Sequence, residues 1–184
     1  MIAIRSAVPE DAAAIAAIYA PHVLSGIVSF EVEPPDAAAI VGRMAAGGAL
    51  YPWLVAEAED GAVAGYAYAA RFRDRPAYRF VVETSIYLAD AAQGRGVGRQ
   101  LYQTLIDTLR AQGFVHAIGA LALPNPASVA LHERLGFRPA GVYREVGFKH
   151  GQWIDVGVWQ CELNAPQVPP VEPRPFGEVG VVRA

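Results

Sequence analysis

Between Gln93 and Arg99 the chain reads QGRGVGR, with glycines alternating at Gly94, Gly96 and Gly98 and cations at Arg95 and Arg99. Glycine lets backbone N–H groups approach an anion with no Cβ in the way. The stretch stands between an apolar, β-branched run and a helical pattern. Its N–H groups therefore fall at a helix N-terminus, where the backbone dipoles favour negative charge. The loop can hold a phosphate-like anion, or it can be a plain glycine-rich turn. Its spacing separates it from two common nucleotide loops. A dinucleotide fingerprint needs G-x-G-x-x-G, and counted from Gly94 or Gly96 the third glycine falls on Arg99 or Leu101. A Walker loop needs Gly-Lys-Ser/Thr, which is absent.

Upstream, Glu83 sits inside the apolar run VVETSIY. A carboxylate there is costly unless it is paired or put to use. Desolvation would raise its pKa from about 4.3 toward the range of a general base. The competing reading is an ion pair, since Arg71, Arg73, Arg75 and Arg79 lie close by in sequence. Arg71, Arg73 and Arg75 alternate, so an extended backbone would put them on one face, where they could grip the oxygens of a small acid. His132 could donate a proton or assist a base, or could be a core histidine satisfied by backbone. Asn125, before Pro126, reads as a turn or cap residue. Cys161 has no basic neighbour in sequence and reads as inert. One cysteine and four scattered histidines show no metal-ligand spacing, so no metal is expected.

The elements that must hold these groups are legible in outline. IAIRSA reads as a first strand. Pro9, Glu10 and Asp11 open a helix that Pro21 stops or bends. IVSFEVE is a short strand or extended loop. Asp36 could cap a second helix that Gly47–Gly48 ends. WLVAEA and AVAGYAYAA read as two strands joined by EDG. YRFVVETSIYLA reads as a central strand covered on both faces. After the glycine loop, Leu101, Leu105 and Leu109 mark an amphipathic helix closed by Gly113. HAIGALAL is a buried strand, Ser128–Leu135 a short helix, and two last strands flank a turn near Gly151. From Ala165 the chain is proline-rich and is expected to be an extended tail on the body or on a neighbour. Hairpins mixed with one β-loop-helix-β crossover imply an α/β (α+β) domain around a mixed sheet. A length of 184 residues suits one such domain, residues 1–164, with a tail over residues 165–184. The net charge of −3 offers no basic field for nucleic acid. No apolar run is long enough for a membrane span, and a cytoplasmic location is expected.

The pattern Gln93-x-x-Gly96-x-Gly98 between strand and helix resembles the pyrophosphate loop of the GNAT N-acetyltransferases. LPNPASVALHERLGF (Leu123–Phe137) is similar to the segment that follows in that superfamily. YPWLVAE, VVETSIY, NPASVALHERLGF and GFKHGQWIDVGVWQ (from Tyr51 to Gln160), with the proline-rich end, resemble its phosphinothricin acetyltransferase branch. The similarity runs from about residue 2 to 175 and is weakest in the first 50 residues.

The resemblance implies a mostly antiparallel sheet of about seven strands flanked by helices, with central strands splayed to take acetyl-CoA. It places Glu83 on the general base and His132 where many relatives carry a tyrosine as general acid. It implies that Gln93, Gly94, Arg95, Gly96, Val97, Gly98 and Arg99 hold the pyrophosphate. Ile86, Tyr87 and Leu88 would pair with the pantetheine arm as an added strand does, with Asn125 and Ser128 beside it. Phe30, Arg73, Arg75, Tyr78 and Thr84 would meet the acceptor. The implied reaction is acetyl transfer to the α-amine of a small amino acid such as phosphinothricin, methionine sulfone or methionine sulfoximine, by a homodimer. Other acceptors, such as a polyamine or a protein N-terminus, and a non-catalytic CoA-binding sensor are the competing expectations.

Overall fold

The computed structural model describes residues 2–183. Its strands are β1 (Ile2–Ser6), β2 (Trp53–Ala58), β3 (Val63–Arg71), β4 (Val81–Leu88), β5 (His116–Leu123), β6 (Arg138–Lys149) and β7 (Gln152–Glu162). Its helices are α1 (Ala12–Leu24), α2 (Ala37–Ala46), α3 (Val97–Gln112), α4 (Pro126–Arg134) and the single turn α5 (Phe176–Val179). The strands form one sheet in the order β1-β2-β3-β4-β5-β7-β6. All neighbours are antiparallel except β4 and β5.

Helices cover both faces of this sheet. Successive residues of a strand point to opposite faces. Along β2, Leu54 and Ala56 join Val82 and the fully buried Leu101, Leu105 and Leu109 of α3. Trp53 and Val55 join Ile15 and Ile18 of α1 and Ile40 of α2 on the other side. The same alternation divides β4. Thr84, Ile86 and Leu88 turn toward α3, while Glu83, Ser85 and Tyr87 turn toward α1 and α2.

The parallel pair is short. β4 and β5 are in register only at Val81–His116, Val82–Ala117 and Glu83–Ile118. Beyond those pairs both strands continue, β4 to Leu88 and β5 to Leu123, without pairing to each other. A fork therefore opens in the middle of the sheet.

Local chemistry explains the element ends. Asp36 caps α2 by accepting from Ala39 N at 2.8 Å. Gly113 ends α3 at φ +97. Asn125 caps α4, accepting from Ser128 N at 3.1 Å, with Pro126 at the first helical position. Two expectations change in detail. α1 runs on through Pro21 to Leu24; the proline gives up one intrahelical N–H bond, and its carbonyl accepts from Ser25 N and Gly26 N to close the helix. Residues 27–33 form no strand. Side chains shape them instead: Tyr19 and Ser29 share a hydrogen bond of 2.6 Å, and Arg43 makes two bonds of 2.8 Å to Glu31.

The proline-rich tail lies on its own subunit. Arg174 N donates to Gln112 O at 2.7 Å, and Gln112 Nε2 donates back to Arg174 O at 2.9 Å. Arg79 pairs with Glu172 at 2.6 Å, and Phe176 and Val181 pack against the α3 side of the core. No helix among the described residues is long and apolar enough to cross a membrane.

Candidate active site

The fork is the floor of a cleft of about 490 Å³. One wall is β4 from Thr84 to Leu88, and the other is Ala120–Ala122 of β5 with Asn125, Ser128, Leu131 and His132 around α4. Gln93, Gly94, Gly96, Gly98 and Arg99 close one end, and His22 and Val28 also line it.

The glycine loop is built to receive an anion. Gly94 and Gly96 have φ of +69 and +82, and a Cβ on either would meet no atom within 4 Å. Only glycine takes such angles without strain. Gly96 precedes α3, whose N-terminus has no side-chain cap. Its first-turn N–H groups have no partner inside the helix. Gly98 is buried, and its α-carbon comes so close to β4 that a Cβ would lie 3.0 Å from Leu88 Cδ1. Val97 is buried in the core, and Arg95 bends back to Ala91 O at 3.4 Å. Of the two arginines, Arg99 alone lines the cleft. Glycine φ angles, uncapped N–H groups and a guanidinium at one end of a long cleft suit a pyrophosphate.

Glu83 is the last residue of β4 paired to β5, directly before the fork. Its carboxylate is half-buried and makes no hydrogen bond or ion pair among the described residues. Burial pushes its pKa up, and the charge of Arg73 pulls it partly back. The nearby arginines are engaged elsewhere: Arg79 with Glu172, Arg71 with Asp74 at 3.7 Å, and Arg73 over the Phe72 ring at 4.9 Å. The chain bends after Arg71, so the three alternating arginines do not share a strand face. Arg73, Arg75 and Tyr78 all lie in the exposed crossing before β4. Tyr78 meets Phe72 edge-on at 5.8 Å.

On the same face as Glu83 stands a group of aromatic rings. Tyr87 lies 5.4 Å from Tyr66 and 4.9 Å from Tyr19, and Tyr68 stacks on Trp53 at 4.2 Å. Burial raises the pKa of each of these tyrosines. Phe30 belongs to the α1–α2 connection, and its ring lies so flat on β6 that a Cβ on Gly147 would fall 2.0 Å from it. Lys149, buried at the end of β6, donates to Ser29 O at 2.6 Å and holds that connection down.

Thr84, expected at the acceptor, lines the cleft on the α3 side of β4. Strand alternation turns it away from Glu83, and its hydroxyl is engaged with Tyr102 at 2.8 Å and Ile118 O at 3.2 Å. His132 is 4% exposed, with Nε2 3.0 Å from the Tyr102 hydroxyl and Nδ1 2.8 Å from Ser128 O. Burial lowers its pKa. Tyr102, Tyr68 and Gly119 are not apparent from spacing. The period of two along β4 points to Ser85, and Tyr102 hides within the leucine pattern of α3. Among the described residues, no group of three or more His, Cys, Asp or Glu side chains could hold a metal.

Residues 4–158 match the family described as an acetyltransferase (GNAT) domain. A phosphinothricin N-acetyltransferase of Streptomyces viridochromogenes is 40% identical over 178 residues, 97% of this chain and 96% of that protein. An L-methionine sulfoximine/L-methionine sulfone acetyltransferase of Pseudomonas aeruginosa is 42% identical over 114 residues, 62% of this chain and 66% of that protein. The crystal structure of a phosphinothricin acetyltransferase from Sinorhizobium meliloti, solved with acetyl-CoA, superposes with a TM-score of 0.88 at 41% identity. That match covers 94% of this chain and 92% of the other. The seven-stranded forked sheet, the glycine loop before α3 and these likenesses agree: the chain belongs to the GNAT acetyltransferase family, and within it to the phosphinothricin N-acetyltransferase branch.

Proposed function

We propose that the chain transfers the acetyl group of acetyl-CoA to the α-amine of a small amino acid of the phosphinothricin, methionine sulfone or methionine sulfoximine type. The observation that carries this reading is the unpaired, half-buried Glu83 at the closed end of a fork whose cleft runs to the glycine loop. When bound, acetyl-CoA supplies a thioester carbonyl open to attack by an amine. The chain must then do three things.

It must hold the cofactor. N–H groups from Gly94 to Arg99 receive the pyrophosphate, and the unpaired edge of β4 from Ile86 to Leu88 offers backbone groups to the pantetheine arm. Asn125 spends its carbonyl oxygen on the α4 cap and keeps its amide N–H groups for the cleft. The chain must also remove a proton, because an α-amine is mostly protonated near neutrality. Glu83, with its raised pKa and free lone pairs, takes that proton directly or through one water. Finally, it must choose the acceptor. Arg73 and Arg75 supply cations for the acid groups of the substrate, while Tyr78 and Phe30 bound its side chain. Homologue names for phosphinothricin and methionine sulfone enzymes support that class.

We also propose a homodimer. The edge strand β6 and its hairpin expose Val142, Tyr143, Val146, Phe148 and Trp153. Such an edge invites a second copy.

The test is release of free CoA thiol with phosphinothricin, methionine sulfone, methionine sulfoximine, spermidine and a peptide, for wild type and Glu83→Gln. Turnover of the small amino acids, lowered about 10²–10⁴-fold in Glu83→Gln, is expected. Turnover of spermidine or peptide alone would discard the acceptor class. Full activity of the variant would discard Glu83 as base.

A further inference from the structure

At the point where β4 and β5 part, five groups form one buried chain of hydrogen bonds. Ile118 O is 3.2 Å from Thr84 Oγ1, which is 2.8 Å from the Tyr102 hydroxyl. Tyr102 is 3.0 Å from His132 Nε2, and His132 Nδ1 is 2.8 Å from Ser128 O. Thr84 is the first residue of β4 beyond the last β4–β5 pair, and Gly119 holds the same place on β5. The imidazole covers Gly119 so closely that a Cβ there would lie 2.7 Å from Nε2. The chain thus ties β4 at Thr84 to β5 at Ile118 where the two part, crosses α3 through Tyr102, and ends on α4, which carries the wall opposite β4. Phe137 packs against both rings, at 5.7 Å from Tyr102 and 5.0 Å from His132.

With a neutral imidazole the chain has three hydrogens for its four contacts, and its ends limit where they go. Both ends are carbonyls, which only accept. Ser128 O therefore takes its hydrogen from Nδ1, and Nε2 of the neutral ring is left to accept from the Tyr102 hydroxyl. Tyr102 in turn accepts from Thr84, whose one proton is shared with Ile118 O. The Ile118 contact is the longest of the four. Burial, which disfavours an imidazolium here, agrees with the neutral ring. In this arrangement His132 has no hydrogen directed at the cleft.

We propose that the Thr84–Tyr102–His132 chain is a strut that sets the width of the cofactor slot, with His132 held as the Nδ1–H tautomer and acting as a positioning residue rather than as the proton donor. The proposal rests on the acetyl-CoA reading above. It needs no new ligand, and it gives a reason for three residues whose side chains make no hydrogen bond to the glycine loop or to Glu83. Removing one hydroxyl leaves its buried neighbours without a partner, which costs more than the bond itself contributes. The two walls then lose their common anchor.

The experiment is calorimetric titration of acetyl-CoA into wild type, Thr84→Val, Thr84→Ser and Tyr102→Phe, with steady-state kinetics in parallel. Loss of the hydroxyl at either position is expected to raise the acetyl-CoA Kd and KM about tenfold or more, a loss of about 1.4 kcal/mol per tenfold. The acceptor KM should stay within about twofold of wild type, and Thr84→Ser should restore acetyl-CoA binding. Nitrogen NMR of histidine-labelled wild type should show hydrogen on His132 Nδ1 and a bare Nε2. Should Tyr102→Phe not fold, the near-isosteric Thr84→Val carries the test. Wild-type acetyl-CoA affinity in Thr84→Val, or hydrogen on Nε2, would overturn the strut. Failure of wild type itself to bind acetyl-CoA would instead overturn the cofactor reading.

Discussion

Glu83, the proposed base, carries a thermodynamic burden. Its folded pKa is raised by burial, so between the unfolded and folded values the native state binds more protons than the unfolded chain. Stability then falls as pH rises through that window, and the full cost is present above the folded pKa. Glu83→Gln removes the charge and keeps the shape. The variant is expected to melt at a higher temperature than wild type at pH 7.5, and the gain should vanish below about pH 4, where the unfolded carboxyl is protonated. Thermal melts across that range check this; an unchanged Tm at pH 7.5 would mean that Glu83 is not strained by its site. The same shift sets an acid limb for catalysis. A base must be ionised to work, so kcat/KM should fall as pH drops through the raised pKa, at a higher pH than an ordinary carboxylate would give. At this scale the sequence is a partial guide. It offered both a base and an ion pair for Glu83, because the arginines from 71 to 79 stand within reach along the chain. The bend after Arg71 and the pairing of Arg79 with Glu172 of the distant tail leave Glu83 without an ion pair among the described residues. Neither is visible in local spacing.

Among the elements, α3 and its loop were the most legible. Leucines every four residues, alternating glycines and a closing Gly113 each answer to a local rule, and the helix spans Val97–Gln112. Gly96→Ala is expected to cost about 1–2 kcal/mol for the left-handed angle, read as a lower Tm, and to weaken acetyl-CoA binding. Retained affinity would mean that the loop adapts around its ligand. The connection from α1 to α2 was the least legible, since its form comes from contacts far away in sequence. Phe30 lies on Gly147, Lys149 reaches Ser29, and Arg43 holds Glu31. Gly147→Ala would drive a methyl into the Phe30 ring. The acceptor KM should rise severalfold, the cost of one displaced aromatic contact of about 1 kcal/mol, while the acetyl-CoA KM holds. A matching rise in both would place Phe30 in general folding rather than in acceptor recognition. The strut was likewise hidden. Tyr102 reads as one more apolar residue of α3, and only the fold brings it to Thr84 and His132.

For the whole molecule, the tail and the β6 edge carry opposite expectations. The tail is bonded to its own subunit, with Gln112 accepting from and donating to Arg174. Ending the chain after Asn164 should lower Tm, because Phe176 and Val181 leave the core and Gln112 loses both bonds to Arg174. The edge strand should bind a second copy. In the pair Val146→Lys and Trp153→Lys, light scattering after gel filtration should shift from the dimer mass to the monomer mass; a monomeric wild type would refute the homodimer. β4 runs through the middle of all this, sending Thr84, Ile86 and Leu88 to one layer and Glu83, Ser85 and Tyr87 to the other. In the function proposed above, the odd positions are addressed to the acceptor and the even ones to the layer of α3. A deletion of a single residue between 81 and 88 would exchange the addresses, giving the acceptor side the residues shaped for α3 and burying Glu83 against the leucines. On that proposal, changes of acceptor range accumulate by substitution at odd positions and in the α1–α2 connection, whereas a change of length within β4 is expected to remove both halves of the reaction at once.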